Sequence, residues 1–177
     1  AVLQMFSHGV IGALLFAVAG RMIYRRTHTR DLDDLSLMEL SRALPFAAFV
    51  FVIASAASMG IPGFSGFAAE ITILIGVWKT YPLAVWITGA GMVLVAAFTL
   101  RALKKSFFGD SAANIGPQQS QVAPDVDWNE YGCITLAEKL GAGLLIFATI
   151  AIGVYPKLLL DRIQPAVEAM RFLKTGG

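Results

Sequence analysis

The sequence predicts an all-α integral membrane chain with about four transmembrane helices, one of them broken at residues 60–67. Three observations predict it. The chain is 56% hydrophobic and only 15% charged, against about 45–50% and about 25% in soluble domains. Its mean hydropathy is +0.68. Its apolar residues gather into runs about as long as a helix needs to cross the roughly 30 Å hydrocarbon core. A soluble fold of this composition would lack the polar surface to cover itself, so the bilayer is read as the solvent.

The elements follow in order. The first apolar run covers residues 1–24 and is long enough to span. The cluster Arg21, Arg25, Arg26 and Arg30 follows, mixed with Asp31, Asp33 and Asp34, and predicts a water-facing loop over 25–42. The second run, 43–78, is too long for one ordinary span. Gly60-Ile61-Pro62-Gly63-Phe64-Ser65-Gly66-Phe67 interrupts it. Gly60, Pro62, Gly63 and Gly66 break a helix there, because proline lacks an N–H and glycine loses the most backbone entropy on ordering. The part before the break, 43–59, is barely long enough to cross; the part after, 68–78, covers roughly 17 Å and cannot cross alone.

The third run, 83–100, is followed by Arg101, Lys104 and Lys105. The stretch 101–135 then turns polar, rich in Gln, Ser, Pro and Asp, and predicts an extramembrane loop. The fourth run covers 136–155. In the tail, 156–177, Leu158, Leu159, Ile163, Val167 and Met170 are spaced among polar residues. That spacing predicts an interfacial amphipathic helix, interrupted at Pro165. The glycine pairs Gly89/Gly91 and Gly141/Gly143 predict close helix packing.

Charge tests the count of crossings. If 43–78 crosses once, Arg21, Arg25, Arg26, Arg30, Arg42, Arg101, Lys104, Lys105 and Lys139 share one side, against Lys79, Lys157, Arg162, Arg171 and Lys174 on the other. The positive-inside rule then places loops 25–42 and 101–135 in the cytoplasm. The net charge is only +2 and the cations sit at the ends of apolar runs, so no nucleic-acid partner is expected. The single Cys133 cannot form an internal disulfide and reads as a small buried apolar side chain. Because Ala1 already lies inside an apolar run, the chain reads as a piece of a longer one, entered mid-protein.

Two ionisable residues lie inside the runs. His8 sits in the first span and Glu70 just beyond the break. A carboxylate at mid-membrane costs roughly 2.5–3.5 kcal/mol on insertion scales, so it implies a partner, a water-filled cavity or a function. Broken spans expose helix ends to ions near the midplane. At the start of the second half-helix the dipole favours the ionised form and desolvation the neutral one. A carboxyl held between those opposing effects can load and release a proton. A neutral imidazole can pass a proton between its two nitrogens. Ser7, Ser55, Ser58, Ser65 and Thr72 are available to hold waters between such groups. Structural pairing of either residue with a neighbouring helix is the alternative, and the residues alone leave both open. His28, beside Arg30 and Asp31, reads as structural. No Walker motif, metal-spaced Cys/His set or Ser-His-Asp pattern competes.

Three stretches carry a family resemblance: Gln4-Met5-Phe6-Ser7-His8-Gly9, Tyr24-Arg25-Arg26-Thr27-His28-Thr29-Arg30-Asp31-Leu32, and Ala54-Ser55 with Gly60-Ile61-Pro62-Gly63-Phe64-Ser65-Gly66-Phe67-Ala68-Ala69-Glu70. Together they resemble the antiporter-like subunits of the proton-translocating NADH-quinone oxidoreductase, respiratory complex I. The subunit M branch, equivalent to subunit 4 in mitochondria, is the nearest, and Gly153-Val154-Tyr155-Pro156 resembles its ending. Asp33-Asp34-Leu35 departs from the Gly-Gly-Leu that often stands there.

The resemblance implies the C-terminal part of a fourteen-helix subunit, with 43–78 as its broken twelfth helix. It implies that Glu70, where sibling subunits carry Lys, is the terminal carboxylate of a proton path, and that His8 is the central-axis histidine feeding it. It implies a non-redox part in an oxidoreductase, with no cofactor in this chain. NADH, FMN, iron–sulfur clusters and quinone belong to other subunits. The implied partners are the other membrane subunits of complex I and the lipid bilayer, in a bacterial cytoplasmic membrane. A cation/proton antiporter subunit, a membrane-bound hydrogenase subunit of the same ancestry, and a structural membrane scaffold are the alternatives.

Overall fold

A computed structural model of the chain describes residues 1–37, 40–107 and 133–175. The described residues are helical and connected by short turns. Helix α1, Val2–Thr27, is α-helical to Phe16, π-helical over Ala17–Tyr24 and α-helical again over Arg25–Thr27. It stops at His28, which takes the left-handed conformation (φ +54°) that ends many helices. The His28 ring packs edge-on against Tyr24, 6.4 Å between centroids, and the Arg30 guanidinium lies 4.3 Å from the centre of the same Tyr24 ring.

The loop read as water-facing holds two short helices, α2 (Leu32–Leu37) and α3 (Leu40–Ala43). Leu35 and Leu40 are buried in the same cluster as Leu14, Met22, Val50 and Phe107. The connection is thus part of the core at this end through Leu35 and Leu40, while Leu32 stays exposed.

Helices α4 (Pro45–Ser58) and α5 (Ser65–Trp78) are the two halves of the broken span. At 14 residues each they measure about 21 Å, too short to cross singly. Local chemistry writes the break. The Ile61 N–H donates to the Ala56 carbonyl and the Gly60 N–H to that of Ala57, at 3.2 and 3.3 Å, with Gly60 at φ +71°. This is the paired closure of a Schellman cap, with glycine at its left-handed position. Phe64 N–H then donates to the Ile61 carbonyl at 3.3 Å, with Gly63 at φ +103°. Proline second and a positive-φ glycine third is the pattern of a type II turn. Gly66, counted with the break from sequence, lies in the first turn of α5; a Cβ there would come 2.5 Å from the Ala57 carbonyl oxygen, so its smallness lets the two half-helices meet.

Helix α6, Pro82–Phe107, starts on a proline at its first position and has 26 residues, about 39 Å. It runs past the apolar stretch, so Arg101, Lys104 and Lys105 sit on its final turns rather than in a loop. Long basic side chains at a helix end keep their charges in water while the helix continues, and cations there suit its negative pole. Helix α7, Leu136–Val154, opens with a capping box in which Thr135 and Glu138 bond each other's backbone N–H. Most of the segment read as the extramembrane loop, 108–132, lies outside the described residues. Helix α8, Lys157–Thr175, continues through Pro165 without interruption. A proline removes one bond from the ladder, and a helix of 19 residues retains the rest.

Two ion pairs bring the connections together. Lys105 pairs with Asp33, and Arg26 with Glu138 at 3.1 Å. The end of α1, the end of α6 and the start of α7 therefore share one end of the bundle. Leu40 of α3 and Leu44, just before α4, share a buried cluster with Phe107 and Ile134 there. Helices α4 and α5 together make one passage to the opposite end, where Lys79–Tyr81 turn the chain into α6. A second cluster, Leu3, Ala69 and Ile152 with Leu159, Leu160 and Ile163, packs the start of α1, α5, the end of α7 and α8.

Candidate functional site

Glu70 is the sixth residue of α5, within the passage formed by the two half-helices. Its side chain folds back toward the break. A Cβ built on Gly60 would collide with its Oε2 and lie 3.4 Å from its Cδ. Oε2 is buried and makes no hydrogen bond among the described residues. Buried polar atoms of proteins are nearly always partnered, so this one needs an explanation. The carboxyl borders a cavity of about 300 Å³ lined by Ser58, Met59, Thr88, Gly91, Met92 and Val95. At about 30 Å³ per water such a space holds several molecules. Ser58 and Thr88 supply hydroxyls to its wall, the latter donating to the Ala84 carbonyl at 2.8 Å. Gly91 leaves room on the facing helix, and nothing lies within 4 Å of where its Cβ would be.

His8 is placed elsewhere. It is exposed, makes no hydrogen bond among the described residues and does not line the Glu70 cavity. The buried stripe of α1 passes through Leu3, Ser7, Ile11 and Leu14, and His8 stands to one side of it. The structure therefore joins Glu70 to Gly60 but does not join Glu70 to His8. Of the hydroxyls singled out from sequence, Ser7 and Ser65 are brought together and Ser58 reaches the cavity. Ser55 is buried and makes no hydrogen bond among the described residues, and Thr72 donates to the carbonyl of Ala68 at 2.7 Å.

Sequence reasoning missed what holds the break in place. Ser65, the first residue of α5, lies 2.9 Å from the Ser7 hydroxyl of α1 and 2.8 Å from the Thr149 hydroxyl of α7. All three are fully buried. On the same helix as Thr149, Gly153 lies against the backbone of the turn; a Cβ there would collide with the Gly63 carbonyl and with Phe64. The predicted packing glycines behave differently: Gly89, Gly91, Gly141 and Gly143 have nothing within 4 Å of an added Cβ. Close approach depends on which helix faces the glycine, which residue type does not reveal. Cys133, expected to be buried, is exposed. Its carbonyl accepts from Arg26 at 3.2 Å, so its backbone faces inward at the start of α7.

The second missed feature is the Arg26–Glu138 pair, nearly inaccessible on both sides. Arg26 also donates to the Met22 carbonyl at 3.0 Å, and Arg21 reaches the other Glu138 oxygen at 3.4 Å. Thr135-x-x-Glu138 before an apolar run was a legible signal for the carboxylate's place, though not for its cationic partner. Among the described residues no three His, Cys, Asp or Glu side chains gather to hold a metal ion.

These features define a class: a polytopic α-helical membrane protein with a broken span and a carboxyl beside the break. The family model described as "NADH:quinone oxidoreductase/Mrp antiporter, TM" matches residues 1–97, and the chain belongs to that family. It is 34% identical over 177 residues to the NAD(P)H-quinone oxidoreductase chain 4 of Synechococcus sp. (strain CC9902), with 96% of this chain and 30% of that protein covered. The chain 4 1 protein of Synechococcus elongatus is 32% identical, covering 89% of this chain and 28% of its own length. The chain 4 2 protein of Microcystis aeruginosa is 34% identical, with 89% and 32% covered. The chain thus spans about 30% of the length of the curated relatives it matches.

Proposed function

We propose that this chain is the C-terminal part of a non-redox membrane subunit of a proton-pumping NADH:quinone oxidoreductase, and that Glu70 takes up and releases protons at the output end of its path. The observation that carries this reading is the Glu70 carboxyl: inside an apolar passage, folded against the break, with an unpartnered oxygen at the edge of a 300 Å³ cavity. A structural carboxylate would be held by a cation or by N–H donors; this one borders room for water. The names of the relatives supply the complex. His8 is the inner exchange partner in this reading, reached through water rather than by direct contact.

The basic end of the bundle faces the cytoplasm in a bacterial cytoplasmic membrane, by the excess of cations in its connections. The chain binds no cofactor of its own. NADH, FMN, iron–sulfur clusters and quinone act in other subunits, and the membrane subunits beside it are its partners. A cation/proton antiporter subunit is the second reading, favoured by the mention of Mrp antiporters in the family description.

The test uses the full-length subunit in the assembled complex, reconstituted in proteoliposomes. Glu70→Gln should keep assembly and slow NADH-driven proton pumping by about tenfold or more, since a positioned proton-transfer group is worth about a hundredfold or more in rate. Glu70→Asp should retain part of the activity. Unchanged pumping by Glu70→Gln removes the proton role, and sodium-dependent transport selects the antiporter reading.

A further inference from the structure

Glu70 has an acceptor oxygen without a donor, so no hydrogen bond from the described residues sets where that oxygen sits. Shape has to set it. The nearest boundary is Gly60, ten residues earlier on the far side of the break. Gly60 carries φ +71° and closes the cap of α4. A Cβ at this glycine would occupy the place of Glu70 Oε2, lie 3.4 Å from Cδ and lie 3.7 Å from Met92 Cε on the opposite wall. Gly63, the other positive-φ glycine of the break, has nothing within 4 Å of an added Cβ. The two glycines therefore differ. Gly63 serves the turn alone, whereas Gly60 serves the turn and leaves the space that the carboxyl fills.

We propose that Gly60 is a positioning residue for Glu70: its missing side chain seats the carboxyl against the break, at the mouth of the cavity bounded by Ser58, Thr88 and Met92. The proposal rests on the reading of Glu70 as a proton carrier and adds what decides its geometry. Any side chain at 60 drives the carboxyl off its rotamer or into the Met92 wall. Shortening the acid by one methylene withdraws it from the collision.

Two effects of substituting Gly60 must be separated, strain of the positive φ and contact with Glu70. Asparagine accepts left-handed backbone far better than alanine, yet both bring a Cβ. The initial rate of NADH-driven proton pumping is measured in proteoliposomes of the complete complex. Gly60→Ala and Gly60→Asn should each lower that rate by about two- to tenfold, the range that an off-rotamer side chain implies. Glu70→Asp alone should also lower it, yet Gly60→Ala with Glu70→Asp should exceed Gly60→Ala alone. Normal pumping by Gly60→Asn, or no rescue by Glu70→Asp, overturns the proposal. Should Gly60→Ala fail to assemble, the yield of assembled complex becomes the readout: recovery with Glu70→Asp supports the contact, and no recovery overturns it. Normal pumping by Glu70→Gln would remove the proton carrier, whereas pumping lost in Glu70→Gln without rescue of Gly60→Ala removes the positioning role alone.

Discussion

Replacing Ser65 with alanine removes one oxygen and breaks two buried contacts, at 2.9 Å to Ser7 and 2.8 Å to Thr149. Three helices meet through that atom: α1, the start of α5, and α7. Hydrogen bonds between membrane helices are worth about 0.6 kcal/mol on average and up to about 1.7. Two of them give about 1–3 kcal/mol. The upper part applies here because Ser7 and Thr149 are fully buried and would each lose a partner. Ser65→Ala should lower the unfolding free energy of the full-length subunit in detergent by that amount, read from denaturant titration of its helical signal. Ser7→Ala, Thr149→Val and the paired variants complete double-mutant cycles, each expected to show coupling of about 0.5 kcal/mol or more. Additivity within error in both cycles would refute the argument, since hydroxyls that do not bond cannot couple. Loss of stability in Ser65→Ala without coupling would point to packing alone.

The remaining predictions concern other contacts. Gly153→Ala should destabilise the subunit by about 1–3 kcal/mol, the usual cost of forcing atoms into a packed site, because its new methyl meets the backbone of Gly63 and Phe64; thermal unfolding in detergent reads it, and Gly141→Ala, with open space around it, is the control. Breaking a buried ion pair from one side costs about 3–5 kcal/mol; Arg26→Ala should fall below that range, because Arg21 and the Thr135 N–H still reach the Glu138 carboxylate. The loss should persist in high salt, since buried pairs are little screened, and a melting curve at two ionic strengths checks both points.

Much of the fold was legible because its causes are local. In lipid every backbone polar group of a spanning segment must be satisfied within a helix, so run length marks the spanning helices, though not α2 and α3 in the connection. The break was equally plain, since Pro62 and the glycines impose backbone angles whatever surrounds them. Within the candidate site, Glu70 stood out because a charge inside an apolar run is costly wherever the helix lies. The association of His8 with Glu70 was carried by resemblance, and among the described residues His8 is exposed and does not line the Glu70 cavity.

What sequence by itself determined about this protein is its solvent, its helices and the position of the interruption. Each follows from residues within a turn or two of one another. What only the tertiary structure decided is which groups meet: Ser65 with Ser7 and Thr149, Arg26 with Glu138, Gly153 with the turn, and Gly60 with the Glu70 carboxyl. The first three join residues 58 to 112 positions apart in the chain. The last depends on the fold-back at the break. These helices are apolar on nearly every side, because lipid and protein neighbours are equally oily. Hydrophobic pattern therefore does not say which face turns inward, and small residues and hydroxyls become partners only after the helices have chosen their neighbours.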